Sequence, residues 1–118
     1  MDSKADPLAP NSADQQGPCF DPWLALGFSR QAYGSAVDLL AIAVLRAIDE
    51  GLACGDIADR LDLSPDHVDL FQTMFTAAGW CVVEIKPCGC RINPAHGEDF
   101  GARLIAAWEE YHRRRWNG

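Results

Sequence analysis

The chain has 118 residues, enough for one domain, which excludes a two-domain enzyme. Hydrophobic residues make up 48% and charged residues 23% of it, as in a globular domain with one modest core. Seventeen acidic and ten basic side chains give a formal net charge of -7. This charge opposes sequence-independent binding to nucleic acid or to an anionic membrane.

The sequence predicts a soluble, cytoplasmic chain without membrane contact. It contains no apolar run of about 18 residues, and its first residues lack the basic start and apolar centre of a signal peptide. Five cysteines, an odd number without a secretion signal, favour reduced thiols. Residues 1–20 hold three of the seven prolines and show no apolar period, so we expect a disordered tail there and a single domain over 21–118.

The first half of the domain contains two helix-start signals. Asp21-Pro22 is typical of an N-cap followed by a first-turn proline and predicts a short helix. Ser35 and Asp38 resemble a capping box at the start of a second helix, which we expect to end at Gly51. This second helix is apolar on nearly every side, which is typical of a helix in a core or in a subunit interface.

Two more helices are predicted in the middle of the chain. Asp56 can cap a helix of about two turns. Ser64-Pro65 predicts the start of the next helix, whose apolar residues recur at three and four positions until Gly79.

The last part of the chain predicts a small β-hairpin and a terminal helix. The aromatic and β-branched segment 80–86 can pair with residues 90–92 across a turn that contains Pro87 and Gly89. After Asn93-Pro94, one helical stripe holds four large apolar side chains, Phe100, Leu104, Trp108 and Tyr111.

Residues 55–92 resemble the winged helix-turn-helix superfamily. The matching features are Ile57-Ala58 and Leu61 on the first short helix, Leu63-Ser64 in the turn, and Gly79-Trp80 before the hairpin, or wing. The resemblance implies a mainly α fold with a small β-hairpin and, in this chain, an extra N-terminal and an extra C-terminal helix. The superfamily includes transcription regulators, protein-interaction adaptors and the dimerisation modules of small-molecule O-methyltransferases, so fold alone does not choose a function.

A DNA-reading winged helix would place the helix after Ser64 in the major groove. His67, Gln72 and Thr73, which we expect to be exposed, would then contact the edges of the bases. Phosphate contacts would fall to the basic residues of the wing and the C-terminus, which are Lys86, Arg91, Arg113, Arg114 and Arg115. However, six acids and three bases lie between Asp56 and Arg91, which disfavours duplex binding.

Protein contacts are the leading hypothesis. Trp23, Trp80 and Trp108 are expected to anchor the core, while the terminal helix offers Trp108, Tyr111 and Trp116 as candidate partner-binding residues. The partner would be a second copy of the chain or another protein, and the apolar second helix and the terminal helix would supply the interface. If the arginines next to Trp116 contact neither a partner nor phosphate, their role would be to complement the dipole at a helix C-terminus.

Cysteines and histidine near the hairpin suggest a metal- or redox-responsive wing as a further alternative. Cys88 and Cys90, with Cys81 and His96, could bind zinc, although a one-residue gap between paired cysteines is shorter than the usual two to four. If no metal binds, we expect Cys81 to be a half-buried strand residue and Cys88 and Cys90 to be turn residues that can respond to redox conditions. No phosphate-binding loop, nucleophile elbow or metalloprotease helix is present, so we expect neither enzymatic activity nor a cofactor.

Overall fold

The computed structural model describes residues 21–28, 34–84 and 89–116. The prediction of a mainly helical chain with one small β-hairpin is confirmed over these residues. The elements follow in the order α1 (Pro22–Ala25), α2 (Ser35–Asp49), α3 (Cys54–Leu61), α4 (Pro65–Ala77), β1 (Cys81–Glu84), β2 (Gly89–Ile92), a short 3-10 turn (Pro94–His96) and α5 (Phe100–Trp116). The predicted tail, residues 1–20, and the hairpin residues 85–88 lie outside the described residues.

Two helix starts form as the sequence predicts. The Asp21 carboxylate accepts hydrogen bonds from the backbone N–H groups of Trp23 and Leu24 and so caps α1. The Ser64 hydroxyl accepts from the His67 N–H at the start of α4, directly before Pro65. These caps depend only on neighbouring residues, which is why sequence alone could identify them.

Two other predicted caps are wrong. Helix α2 begins after Gly34 without a side-chain cap, and Asp38 is buried instead of capping. Helix α3 begins at Cys54, two residues before the expected cap Asp56, which lies within its first turn. Asp38 fails as a cap because donors from distant parts of the chain surround its carboxylate.

Helices α2 and α5 run antiparallel and frame one side of the core. Asp38, near the start of α2, contacts the last turns of α5, whereas Asp49 at the end of α2 lies against Gly101 at the start of α5. Trp108 projects from α5 into the centre, where its ring lies 5.2 Å from Trp23 and 6.2 Å from Trp80. The expectation that these three tryptophans anchor the core is confirmed.

The hairpin packs against α4 and places alternate residues on its two faces. Strand β1 pairs antiparallel with β2, with Cys81 opposite Ile92 and Val83 opposite Cys90. Because directly paired residues project to the same side, these four share one face of the hairpin. We call it the inner face, since it buries Cys81 and Cys90, although Val83 near its end is exposed. No helix in the described part of the chain is both long and apolar enough to cross a bilayer.

Candidate functional site

The surface that would read DNA exposes acidic side chains and lacks one of the expected readout residues. On α4, Asp66, Asp69 and Thr73 are exposed, and so is His67, whose Nδ1 lies 2.9 Å from the Ser64 hydroxyl. Gln72 contradicts the expectation of an exposed readout residue, because only 7% of it is accessible. Its side chain faces inward to the start of β2, with Nε2 3.7 Å from the position that a Cβ on Gly89 would occupy.

Each described arginine among the phosphate-contact candidates has an internal contact. Arg91 pairs with Glu84 on the hairpin at 2.5 Å. Arg113 and Arg114 share the carboxylate of Glu110, and their hydrogen bonds hold the pKa of that exposed carboxyl below its usual range. The Arg115 guanidinium lies over the Trp116 ring, 5.1 Å from its centre. Lys86 lies outside the described residues.

The candidate partner-binding residues of α5 divide between core and surface. Trp108 is fully buried, so the expectation that it contacts a partner is wrong. Tyr111 is half-buried, and burial raises the pKa of its phenol. Trp116 is 41% exposed, but its indole N–H donates to Asp38 Oδ2 at 3.2 Å, which fixes the ring against the molecule.

The candidate metal ligands that the structure describes do not come together as a zinc site. Cys81 and Cys90 lie on the same hairpin face, but the His96 Nε2 lies 3.0 Å from the Gly79 carbonyl oxygen and its ring packs on Phe100. Within residues 21–28, 34–84 and 89–116, no group of three or more His, Cys, Asp or Glu side chains could hold a metal ion. Cys88 lies outside those ranges.

A different surface, between α2 and α5, combines exposed apolar and charged side chains. We define the α2–α5 face by the outward stripe of each helix, which is Leu39, Ala43, Arg46 and Glu50 on α2 and Ala102, Ala106, Glu109 and Arg113 on α5. An ion pair between Arg46 and Glu109 joins the two stripes. Between them lies a shallow groove of about 350 Å³ whose lining includes Ile105 and the two alanines of α5.

Charge is unevenly distributed along this face. Its end at the C-terminus of α2 carries Asp49 and Glu50, of which Glu50 also pairs with Arg60, whereas its other end carries Arg113, which also pairs with Glu110. Leu39 lies toward the basic end and is 52% exposed. Sequence reasoning proposed α2 and the terminal helix as the interface but did not identify the stripes that form this face, because helical periodicity does not show which stripe of α5 lies beside α2.

No family model, curated protein or solved structure matches the chain.

Proposed function

We propose that the chain is a non-enzymatic winged-helix module that acts through protein contacts, and that the α2–α5 face joins it to a second copy. One observation carries this proposal. The face has small apolar side chains around the Arg46–Glu109 ion pair, an acidic end and a basic end. Such a surface is complementary to itself when a two-fold axis places the acidic end of one copy over the basic end of the other.

The apolar side chains of the face would supply most of the affinity. Small side chains at Ala43, Ala102 and Ala106 allow a facing helix to approach, and Leu39 adds the largest exposed apolar group of the face. Fully burying a leucine side chain contributes about 1.5–3 kcal/mol, and a two-fold dimer buries the same residue twice. The charges at the two ends would mainly set orientation, because exposed ion pairs contribute only ~0.2–1 kcal/mol each.

A pair of matched leucine substitutions tests the proposal. Leu39 on the α2–α5 face and Leu70 on α4 are exposed to almost the same extent, 52% and 54%. We expect sedimentation equilibrium to give twice the chain's 12.9 kDa for the wild type and for Leu70→Glu at micromolar concentration. Leu39→Glu should sediment as a monomer, with a dissociation constant raised at least about tenfold, which corresponds to ~1.4 kcal/mol.

Two results would contradict this assignment. A wild type that stays monomeric up to millimolar concentration would remove the second copy as the partner. A dimer lost in Leu70→Glu but kept in Leu39→Glu would place the contact on α4. Self-association would then be supported, but its assignment to the α2–α5 face would be wrong.

The DNA-binding alternative receives less support from the same geometry. Its readout helix exposes Asp66 and Asp69, Gln72 is turned inward, and Arg91 is paired with Glu84. We expect no saturable shifts in NMR spectra when a mixed-sequence duplex is added at about 0.15 M salt, where exposed charges are screened over ~8 Å. Saturable shifts on α4 and the hairpin would instead make the chain a DNA-binding protein.

A further inference from the structure

Two thiols lie side by side on the inner face of the hairpin. Cys81 is on β1 and Cys90 is on β2, and both are buried and free of disulfides. The register pairs Cys81 with Ile92 and Cys90 with Val83, so the cysteines are diagonal neighbours on one face. The sequence directed attention to Cys88 and Cys90, but strand pairing brings Cys90 to Cys81.

The contact between these thiols shifts their pKa values in opposite directions. A hydrogen bond to Cys90 raises the pKa of the Cys81 thiol, and burial raises it further. Hydrogen bonds from the side chains of Cys81 and Thr76 lower the pKa of Cys90, against the opposing effects of burial and of Glu84. Cys90 is thus the better anion of the pair, and Cys81 is its donor.

This arrangement is poorly suited to a disulfide. Diagonal neighbours in an antiparallel pair have Cα atoms about 7–8 Å apart. A disulfide requires about 4.4–6.8 Å, so closing the bond would require movement of the strands. The thiols can therefore touch without being placed for a covalent bond.

A zinc site is also poorly suited to this location. Structural zinc takes four ligands, and in the described residues no group of three or more His, Cys, Asp or Glu side chains could hold a metal ion. Soft thiolates favour Cu(I), which accepts two sulfurs in a linear arrangement. The number and softness of the donors therefore select a monovalent, thiophilic ion.

We propose that Cys81 and Cys90 form a two-thiolate binding site for one Cu(I) ion. Binding releases both thiol protons and forms two copper–sulfur bonds without any change in oxidation state. The bound site then carries a net charge of -1, which is the sum of two thiolates and one Cu(I) ion. The ion would reach the pair past Val83, which lies on the same face opposite Cys90 and is 69% exposed.

The test is an anaerobic titration of the full chain with Cu(I) in the presence of a chromogenic chelator that competes for the ion. The wild type should hold one Cu(I) per chain against a chelator excess that leaves none on Cys81→Ser or Cys90→Ser. The control variants Cys54→Ser and Cys88→Ser should keep the full equivalent. Circular dichroism establishes that the variants are folded, and Cys81→Ala and Cys90→Ala replace any serine variant that is not.

Copper-edge X-ray absorption provides a second readout, with two sulfur neighbours expected for the bound ion. The proposal is overturned if the wild type loses all copper to the chelator, if Cys88→Ser loses it as Cys90→Ser does, or if three or more sulfur neighbours are found. The amount of copper bound per chain does not depend on whether the protein is a monomer or a dimer, so the result is independent of the self-association proposed above.

Discussion

At the scale of single residues, Asp38 holds three helices together. Its carboxylate is 1% exposed and lies within hydrogen-bond distance of the indole N–H groups of Trp23 at 2.5 Å and of Trp108 and Trp116 at 3.2 Å, with His112 Nδ1 at 3.3 Å. These side chains come from α1 and α5. Both carboxylate oxygens are therefore satisfied, which offsets the cost of burying the group.

Removing this carboxylate should be far more harmful than removing one of its donors. Asp38→Ala leaves three indole donors without their acceptor, at ~1–3 kcal/mol for each buried one, so we expect a loss of about 3 kcal/mol or more. Trp116→Phe removes one donor at the edge and should cost about 1 kcal/mol. Urea unfolding followed by circular dichroism measures both, with the exposed Asp66→Ala as control. An Asp38→Ala variant as stable as the control would show that the cluster contributes nothing.

Sequence reasoning could have placed Asp38 inside but could not have found its partners. Asp38 shares a helical stripe with Ala41, Ile42 and Leu45, which are all buried. The proximity of Ser35 favoured a capping box instead. The donors Trp108 and Trp116 are 70 and 78 residues away, a separation at which local patterns carry no information.

At the scale of elements, the crossing of α2 and α5 depends on a glycine. A Cβ on Gly101 would overlap the Asp49 carboxylate and would lie 3.1 Å from Ile92 Cγ1. Without that Cβ, an acidic side chain at the end of α2 can approach the first turn of α5, where the helix dipole favours negative charge. Gly101 is therefore needed because it lets α2 approach α5 closely, and not because of its backbone freedom.

Replacing either of two glycines at the same helical position by alanine should change the free energy of unfolding, but in opposite directions. Gly55 is the second residue of α3 with open space around it, and Gly101 is the second residue of α5. Gly55→Ala should raise the free energy of unfolding by about 0.5–1 kcal/mol, because alanine has the higher helix propensity. Gly101→Ala should lower it, because Asp49 and Ile92 must move. Equal stabilisation by both substitutions in urea unfolding would refute the close contact.

Element prediction from the sequence succeeded where signals were local. The cap at Ser64-Pro65 and the stop at Gly79, which has a φ of 84°, bound α4 as expected. Prediction failed for Gln72, because its inward position depends on the packing of β2 and α3 around α4. The diagonal contact of Cys81 with Cys90 likewise depends on strand register, which the sequence left open.

At the scale of the whole molecule, the net charge of -7 is not spread evenly. Five aspartates and one arginine lie between Cys54 and Ala77, and that arginine, Arg60, pairs with Glu50. The basic end of α5 lies near the N-terminus of α2, to which Trp116 is bound through Asp38. A face that crosses from acidic to basic along α2 and α5 can therefore match its own copy despite the overall repulsion.

The most direct measurement of self-association through this face is an exchange of charges between its ends. Glu50→Arg puts a positive charge at the acidic end, and Arg113→Glu puts a negative charge at the basic end. Each substitution places like charges opposite each other in a dimer of that variant, so each variant alone should sediment as a monomer at concentrations where the wild type is a dimer. An equimolar mixture should restore a species of twice the chain's 12.9 kDa, because each end again faces its opposite. Dimers of either variant alone, or a mixture that stays monomeric beside a dimeric wild type, would contradict the account.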